Sequence, residues 1–189
     1  MLSVCAAMLA RWCSQGDFVL GFVHHGRTRP ELTNMVGLVA GFIYLRIEIG
    51  KETSLIDLLR QLDRQLRDAR THQDYGRVPS LCFQEPAGLL FNWTPSQWRL
   101  RSSDQITSAV GELTIRQFPI GHFRSEANSS FKFDFRPCDT SDGLVLTTTY
   151  RSDLYNHQSM RMLLSNTRTL SEMFLERPHA TIASLPFTL

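Results

Sequence analysis

Residues 21–46 read GFVHHGRTRPELTNMVGLVAGFIYLR, and their pattern is that of two strands joined by a turn and a helical half-turn. Phe18 to Val23 form a nearly continuous apolar run between Gly16 and Gly26, the pattern of a strand covered on both faces. Gly41 to Ile49 read as a second strand of the same kind, with Pro30, Glu31 and Leu32 as the half-turn between them.

Working outward, helical and strand patterns alternate. Leu2, Cys5, Leu9 and Trp12 recur at three- and four-residue steps, which predicts a helix with one apolar stripe that ends near Gly16. Asp17 then opens the first strand. Ser54 with Asp57 makes a start resembling a capping box, and Leu55, Leu58, Leu59, Leu62, Leu66 and Ala69 form the buried stripe of a long helix. Its opposite face, with Arg60, Asp63, Arg64, Arg67 and Asp68, reads as solvated.

From Arg77 to Trp98 the pattern loosens to loop plus a short apolar strand, Gly88 to Trp93, flanked by Pro86 and Pro95, which cannot sit inside a central ladder. Leu113 to Phe118 alternate as a half-buried strand does. Phe131 to Phe135 alternate as well, and the turn Asp139 to Gly143 separates them from Leu144 to Tyr150, which predicts a hairpin with a longer loop. A final helix, capped near Asn156, carries Met160, Leu163, Leu164, Thr167, Leu170 and Phe174 and stops before Pro178. Interleaved helices and mixed strands without a repeat predict one α/β domain over residues 1–189, with a mixed sheet and helices packed mainly against it.

Composition narrows the function classes. With 189 residues, 42% of them hydrophobic, the chain has the size and apolar content of a single cored domain. A formal charge of +2 gives no electrostatic footprint for nucleic acid. Cys5, Cys13, Cys82 and Cys138 contain no Cys-x-x-Cys pair, and no histidines stand at metal-ligand spacing, so neither a zinc site nor a disulfide framework is indicated. The opening MLSVCAAMLARWC is short and carries Arg11, which argues against a signal peptide and a membrane span and leads us to expect a cytoplasmic protein. Sequons at Asn92 and Asn128 carry no weight without a secretion signal. There is no Gly-x-Ser-x-Gly elbow, no phosphate loop and no carrier-type serine.

The order of short motifs resembles that of the C-terminal lobe of a nonribosomal peptide synthetase condensation domain, of the chloramphenicol-acetyltransferase-like superfamily. Gly21, Gly26 and Arg27 resemble the family's strand-ending turn. Pro30-Glu31-Leu32 follow, and Val36, Gly37, Val39, Ala40 and Arg46 match its Ile-Gly-x-Phe-Val-Asn-Thr-x-x-x-Arg segment. Arg11, Asp17 and Gly21 fall in register with its opening helix and strand. His72-Gln73-Asp74 resemble the start of His-Gln-Asp-x-Pro-Phe-Glu, Phe131 to Phe135 resemble Lys-x-Asp-Leu, Tyr150 to Tyr155 resemble Tyr-x-x-x-Leu-Phe, and Pro178 to Leu189 match the closing Pro-x-x-x-Ile-x-x-Leu. Three departures stand out: Gly41 where the family has Asn, loss of Pro-Phe-Glu after Asp74, and no Arg-Asp-x-Ser-Arg-Asn-Pro-Leu segment around Glu85 to Leu90.

The resemblance implies a mixed-sheet lobe with helices mainly on one face, and one wall of a tunnel whose other wall is an N-terminal lobe on the same or another chain. Family-motif positions, expected as tunnel wall or structural, are Gly37, Gly41, Arg46, His72, Gln73, Asp74, Asn92, Asp134 and Tyr150. No catalytic residue is expected in this chain, because the family's His-His-x-x-x-Asp-Gly signature belongs to the N-terminal lobe. His24-His25 imitate its start but continue as Gly-Arg-Thr-Arg-Pro, and read as a strand terminus. The implied partners are that lobe and carrier domains, whose phosphopantetheine arms bring the substrates; the chain itself is expected to bind no cofactor and no metal. Two alternatives are a non-catalytic docking lobe for a carrier or neighbouring synthase, and an independent acyltransferase that uses His25. Self-association through an exposed interface is also expected, with Phe83 to Trp98 and Phe118 to Phe131 as candidates.

Overall fold

The computed structural model describes residues 1–73, 88–93, 108–110, 113–115, 132–140 and 143–186. The opening helix, α1 (Leu2–Cys13), runs into β1 (Asp17–His24), and a one-turn helix, α2 (Pro30–Thr33), precedes β2 (Gly41–Glu48). The long helix α3 (Leu55–Thr71) is followed by β3 (Leu89–Phe91), β4 (Ser108–Val110) and β5 (Leu113–Ile115). The hairpin of β6 (Phe133–Thr140) and β7 (Gly143–Tyr150), helix α4 (His157–Glu176) and a 3-10 turn at Ile182–Ser184 complete the described elements.

Five strands form one mixed sheet in the order β2-β1-β3-β6-β7. The three inner strands are parallel to one another, and the outer strands β2 and β7 run antiparallel to them. The strand from Gly88 to Trp93, flanked by prolines in the sequence, is the centre of the sheet, with Leu89–Phe91 as its strand residues. β4 and β5 pair as a separate two-stranded sheet. β5 covers the start of the strand predicted from Leu113 to Phe118, and Phe118 lies outside the described residues.

Alternate strand residues sort the chain into one core. Leu20 and Phe22, Ile43, Leu45 and Ile47, Phe91, and Phe133 and Phe135 share a cluster with Leu55, Leu58 and Leu62 of α3 and Met160, Leu163 and Leu170 of α4. The helices therefore cover one face of the sheet, as the resemblance implied. α1 lies between α3 and α4. That position corrects the single-stripe reading, since Ser3 through Ala10 are all buried. Ala6, Ala7 and Ala10 supply the small side chains that let a helix be enclosed by two others and a sheet.

β2 also departs from its reading. It is an edge strand, alternately buried and open along Phe42–Glu48, so only one face is covered; Arg46 and Glu48 on the open face are charges of the kind that discourage pairing with another chain. β6 runs on through Thr140, which pairs with Gly143 of β7, so the hairpin ladder is longer than predicted. Pro137 is tolerated in β6 because the pairing with β3 ends at Phe135, so its missing amide has no ladder to serve there. Ser54 caps α3 by accepting from Asp57 N–H at 3.2 Å, and Asn156 caps α4 by accepting from Ser159 N–H at 2.7 Å.

Candidate functional site at the loop end of the sheet

The parallel strands β1, β3 and β6 all finish at one end of the sheet, where β2 begins and where α3, running back along β2, finishes. Gln73 Nε2 donates to Thr28 Oγ1 at 3.0 Å, which ties the end of α3 to the loop after β1. Gly37, Gly41, His72, Gln73 and Asn92 are thereby gathered at this end. Asp74 lies outside the described residues.

The loop from Gly26 to Val39 is closed at its neck. Gly26 has φ +69°, and a Cβ there would stand 1.9 Å from the Val39 carbonyl oxygen, so only glycine fits. Inside the loop the Arg27 guanidinium donates to the carbonyls of Leu32 at 2.5 Å, Met35 at 2.9 Å and Gly37 at 3.3 Å. The Arg27 backbone N–H donates to His25 Nδ1 at 3.0 Å. Loop carbonyls that helix or sheet would otherwise satisfy are thus satisfied by one side chain. The turn at Gly26-Arg27 is legible in the sequence, but the Arg27 clamp is not, because backbone carbonyl acceptors leave no residue-type signal.

Beside the neck, His24 pairs with Gly41 across β1 and β2. A Cβ on Gly41 would lie 2.6 Å from His24 Nε2, so the imidazole fills the room a side chain at position 41 would occupy. β1 ends at His24, which places the two adjacent histidines at a strand terminus. His72 is the C-cap residue of α3. Asn92 follows β3 and extends its ladder by donating its backbone N–H to Phe135 O at 2.8 Å.

The remaining motif positions lie away from this end and act as struts. Arg46 makes a two-pronged pair with Asp17, Nε to Oδ1 at 3.0 Å and Nη2 to Oδ2 at 2.8 Å, with Glu48 at 3.4 Å. The hydrogen bonds from Arg46 hold the Asp17 carboxyl below its ordinary range, and those same bonds raise the guanidinium. Asp134 is buried near the start of β6, where Oδ2 accepts from Arg136 Nε at 2.7 Å and Oδ1 from Thr149 N–H at 2.9 Å. Both carboxylate oxygens of this buried charge are thus satisfied. Tyr150 Oη lies 3.1 Å from His157 Nδ1 at the start of α4. Among the described residues, no three His, Cys, Asp or Glu side chains gather as a metal site, and no helix is long and apolar enough to cross a membrane. Cys5 and Cys138 are buried free thiols and Cys13 is an exposed one.

This arrangement can present backbone and loop surface. A model of the condensation-domain family matches residues 1–188, and the chain belongs to that family. It is 20% identical over 196 residues to tyrocidine synthase 3 of Brevibacillus parabrevis, covering 100% of this chain and 3% of that protein. It is 38% identical over 74 residues to the phosphinothricin tripeptide synthetase PhsC of Streptomyces viridochromogenes, covering 39% of this chain and 7% of that one. The first condensation domain of the CDA synthetase superimposes with a TM-score of 0.72 at 18% identity, covering all of this chain and 41% of that one. The X-domain from teicoplanin biosynthesis superimposes with a TM-score of 0.79 at 17% identity, covering 99% of this chain and 43% of that one. The chain therefore spans a small fraction of the synthetases and about two fifths of the solved single domains.

Proposed function

We propose that this chain is the C-terminal lobe of a condensation domain that forms amide or ester bonds between carrier-bound acyl and aminoacyl thioesters in nonribosomal or hybrid peptide biosynthesis. The carrying observation is that a condensation-domain model matches residues 1–188 while the chain covers only about two fifths of the solved domains, in a sequence without His-His-x-x-x-Asp-Gly. The chain supplies one wall of the tunnel, and Gly37, Gly41, His72, Gln73, Asp74 and Asn92 border it. Arg46, Asp134 and Tyr150 brace the sheet behind. An N-terminal lobe supplies the histidine that orients the acceptor amine or takes its proton as it attacks the thioester. The phosphopantetheine arms arrive as part of the substrates on partner carrier domains.

The test is to purify the polypeptide carrying this sequence from its source cells, map its peptides, and assay amide formation from carrier-bound donor and acceptor thioesters. Support is a His-His-x-x-x-Asp-Gly lobe in the preparation, with activity lost when its second His is changed to Ala. Amide formation by residues 1–189 alone, or a preparation with no such lobe, overturns the reading.

A second reading, a non-catalytic docking lobe, is favoured by one observation. The teicoplanin X-domain solved in complex with OxyB superimposes over the whole chain with a TM-score of 0.78. In that reading residues 1–189 bind a carrier or synthase neighbour without any N-terminal lobe, which titration calorimetry with a purified carrier domain decides.

A further inference from the structure

The sheet has two edges, and only one of them is guarded. β2 carries the exposed charges Arg46 and Glu48, which keep a foreign strand away. β7, the opposite edge, reads GLVLTTTY from Gly143 to Tyr150, without a charge or a proline. It pairs with β6 in unbroken register from Gly143 to Tyr150, so no bulge turns it aside.

The direction of its backbone groups follows from β6. Phe135 O accepts from Asn92 N–H on the β3 side at 2.8 Å, which turns the backbone of Asp134 and Arg136 toward β7, where Thr149 and Thr147 face them. Alternation then turns the N–H and C=O groups of Leu144, Leu146, Thr148 and Tyr150 outward. Among the described residues, none of these groups has a hydrogen-bond partner. A regular, uncharged row of unpaired backbone groups is a template for another strand. Leu144 and Val145, 48% and 44% exposed, lie on the same row.

Charge and symmetry decide which strand fits. A two-fold axis sets a second β7 antiparallel to the first, with both helix layers on one side of the sheet, when Leu146 meets Leu146 or Thr147 meets Thr147. In either register no charge of β7 meets another, as a neutral edge requires of its occupant. The outward groups of Leu144, Leu146 and Thr148 then meet outward groups of the other copy. Leu144 and Val145 come to stand beside threonines or Tyr150 of that copy, and part of their apolar surface leaves water.

We propose that β7 is a self-association edge, on which two copies of this chain pair β7 with β7 antiparallel and join their sheets into one. This pairing stands independently of the C-terminal-lobe reading.

Sedimentation velocity of the 189-residue chain over a concentration series should show a species of twice 21.6 kDa that grows with concentration. Over the same series, hydrogen exchange should slow at the amides of Leu144, Leu146 and Thr148 and stay constant at those of Val145 and Thr147, which already face β6. Thr147 is exposed, and its Oγ1 donates only to Arg136 O at 3.3 Å, so a charge fits there without entering the core. Thr147→Lys and Thr147→Glu should each keep the circular dichroism and weaken the dimer at least about tenfold, because like charges meet across the axis. Mixed one to one, the two variants should dimerise again, a rescue that only a self-complementary edge gives. If either variant loses its fold, the exchange pattern of the unchanged chain decides alone. A monomer at every concentration, wild-type dimerisation of either folded variant, no rescue in the mixture, or dimerisation without slowing at the three outward amides overturns the proposal. So does slowing of those amides only when other polypeptides of the source cells are added, which gives the edge to a foreign strand.

Discussion

At the scale of single residues, Gly26 and Gly41 are both tight, yet they differ in what a new side chain would strike. An alanine at position 26 meets a backbone oxygen at 1.9 Å and takes a left-handed φ of +69°. The left-handed conformation alone costs an L-residue about 1–2 kcal/mol, so Gly26→Ala should lose at least that much by urea denaturation. At position 41 the obstacle is the His24 imidazole, a side chain that rotates, so Gly41→Ala should cost less than Gly26→Ala in the same experiment. His25 accepts the Arg27 amide proton at Nδ1 and lies exposed, so the purified chain should transfer no acyl group from a thioester to an amine, and His25→Ala should change nothing. Charge sets the pH profile. The Asp17, Asp57 and Asp153 carboxyls are held below their ordinary range by hydrogen bonds from Arg46, Ser54 and Arg151 respectively. A depressed folded-state value contributes stability above the unfolded value that is lost as pH falls through the folded one, so these groups weaken the fold on the acid side. Burial pushes the Cys5 thiol from 9.0 up to about 12, so its contribution is complete below pH 9 and lost as pH rises toward 12. The urea midpoint should therefore fall on both sides of a neutral plateau. Cys5 should resist Ellman's reagent at pH 8 until the chain unfolds.

At the scale of elements, the two long helices were legible because each has a cap and a stripe: Ser54 and Asn156 open them, and Leu58, Leu62, Leu163 and Leu170 recur at helical spacing on the buried side. Ser54→Ala should cost about 1 kcal/mol through the lost cap, and Leu58→Ala about 2–5 kcal/mol through the cavity left under α3, both by urea denaturation. Strands were harder, since an apolar run says that a strand is buried without saying by what. Phe42 to Ile47 look as apolar as Phe18 to Val23, yet β2 is the edge and β1 is inside, a distinction that depends on β3 arriving from forty residues further on. β6 read short because Pro137 and Asp139 are poor strand formers; they are accepted where β3 has already ended. At the candidate site, Gly37, Gly41, His72 and Gln73 came from motif order, whereas the Arg27 clamp came from backbone acceptors, to which residue type is indifferent.

At the scale of the whole molecule, the two ends of the sheet are finished differently. Opposite the loop end, residues 178–185 fold back over the start of α3: Ile56 N–H donates to Pro178 O at 3.0 Å, Ile182 N–H to Thr53 O at 3.0 Å, and Ser54 bridges Thr181. Arg11 of α1 reaches the carbonyls of Ile182 and Ala183, so one strap fastens two helices. The spacing Pro178, Ile182, Leu185 was visible in the sequence, and its reason is that Ile182 and Leu185 enter the shared core, at 2% and 4% exposure. Ile182→Ala should therefore cost about 2–5 kcal/mol, like any buried isoleucine truncation. Because the strap and the Arg27 loop sit at opposite ends of α3, the two should be separable. In lobes that remain folded, Ile182→Ala should leave protease cleavage within residues 26–39 at the wild-type rate, whereas Arg27→Ala, which frees the carbonyls of Leu32, Met35 and Gly37, should speed it with a smaller change in the urea midpoint. If both variants lose stability and gain loop cleavage in proportion, the loop is held by the core and not by Arg27.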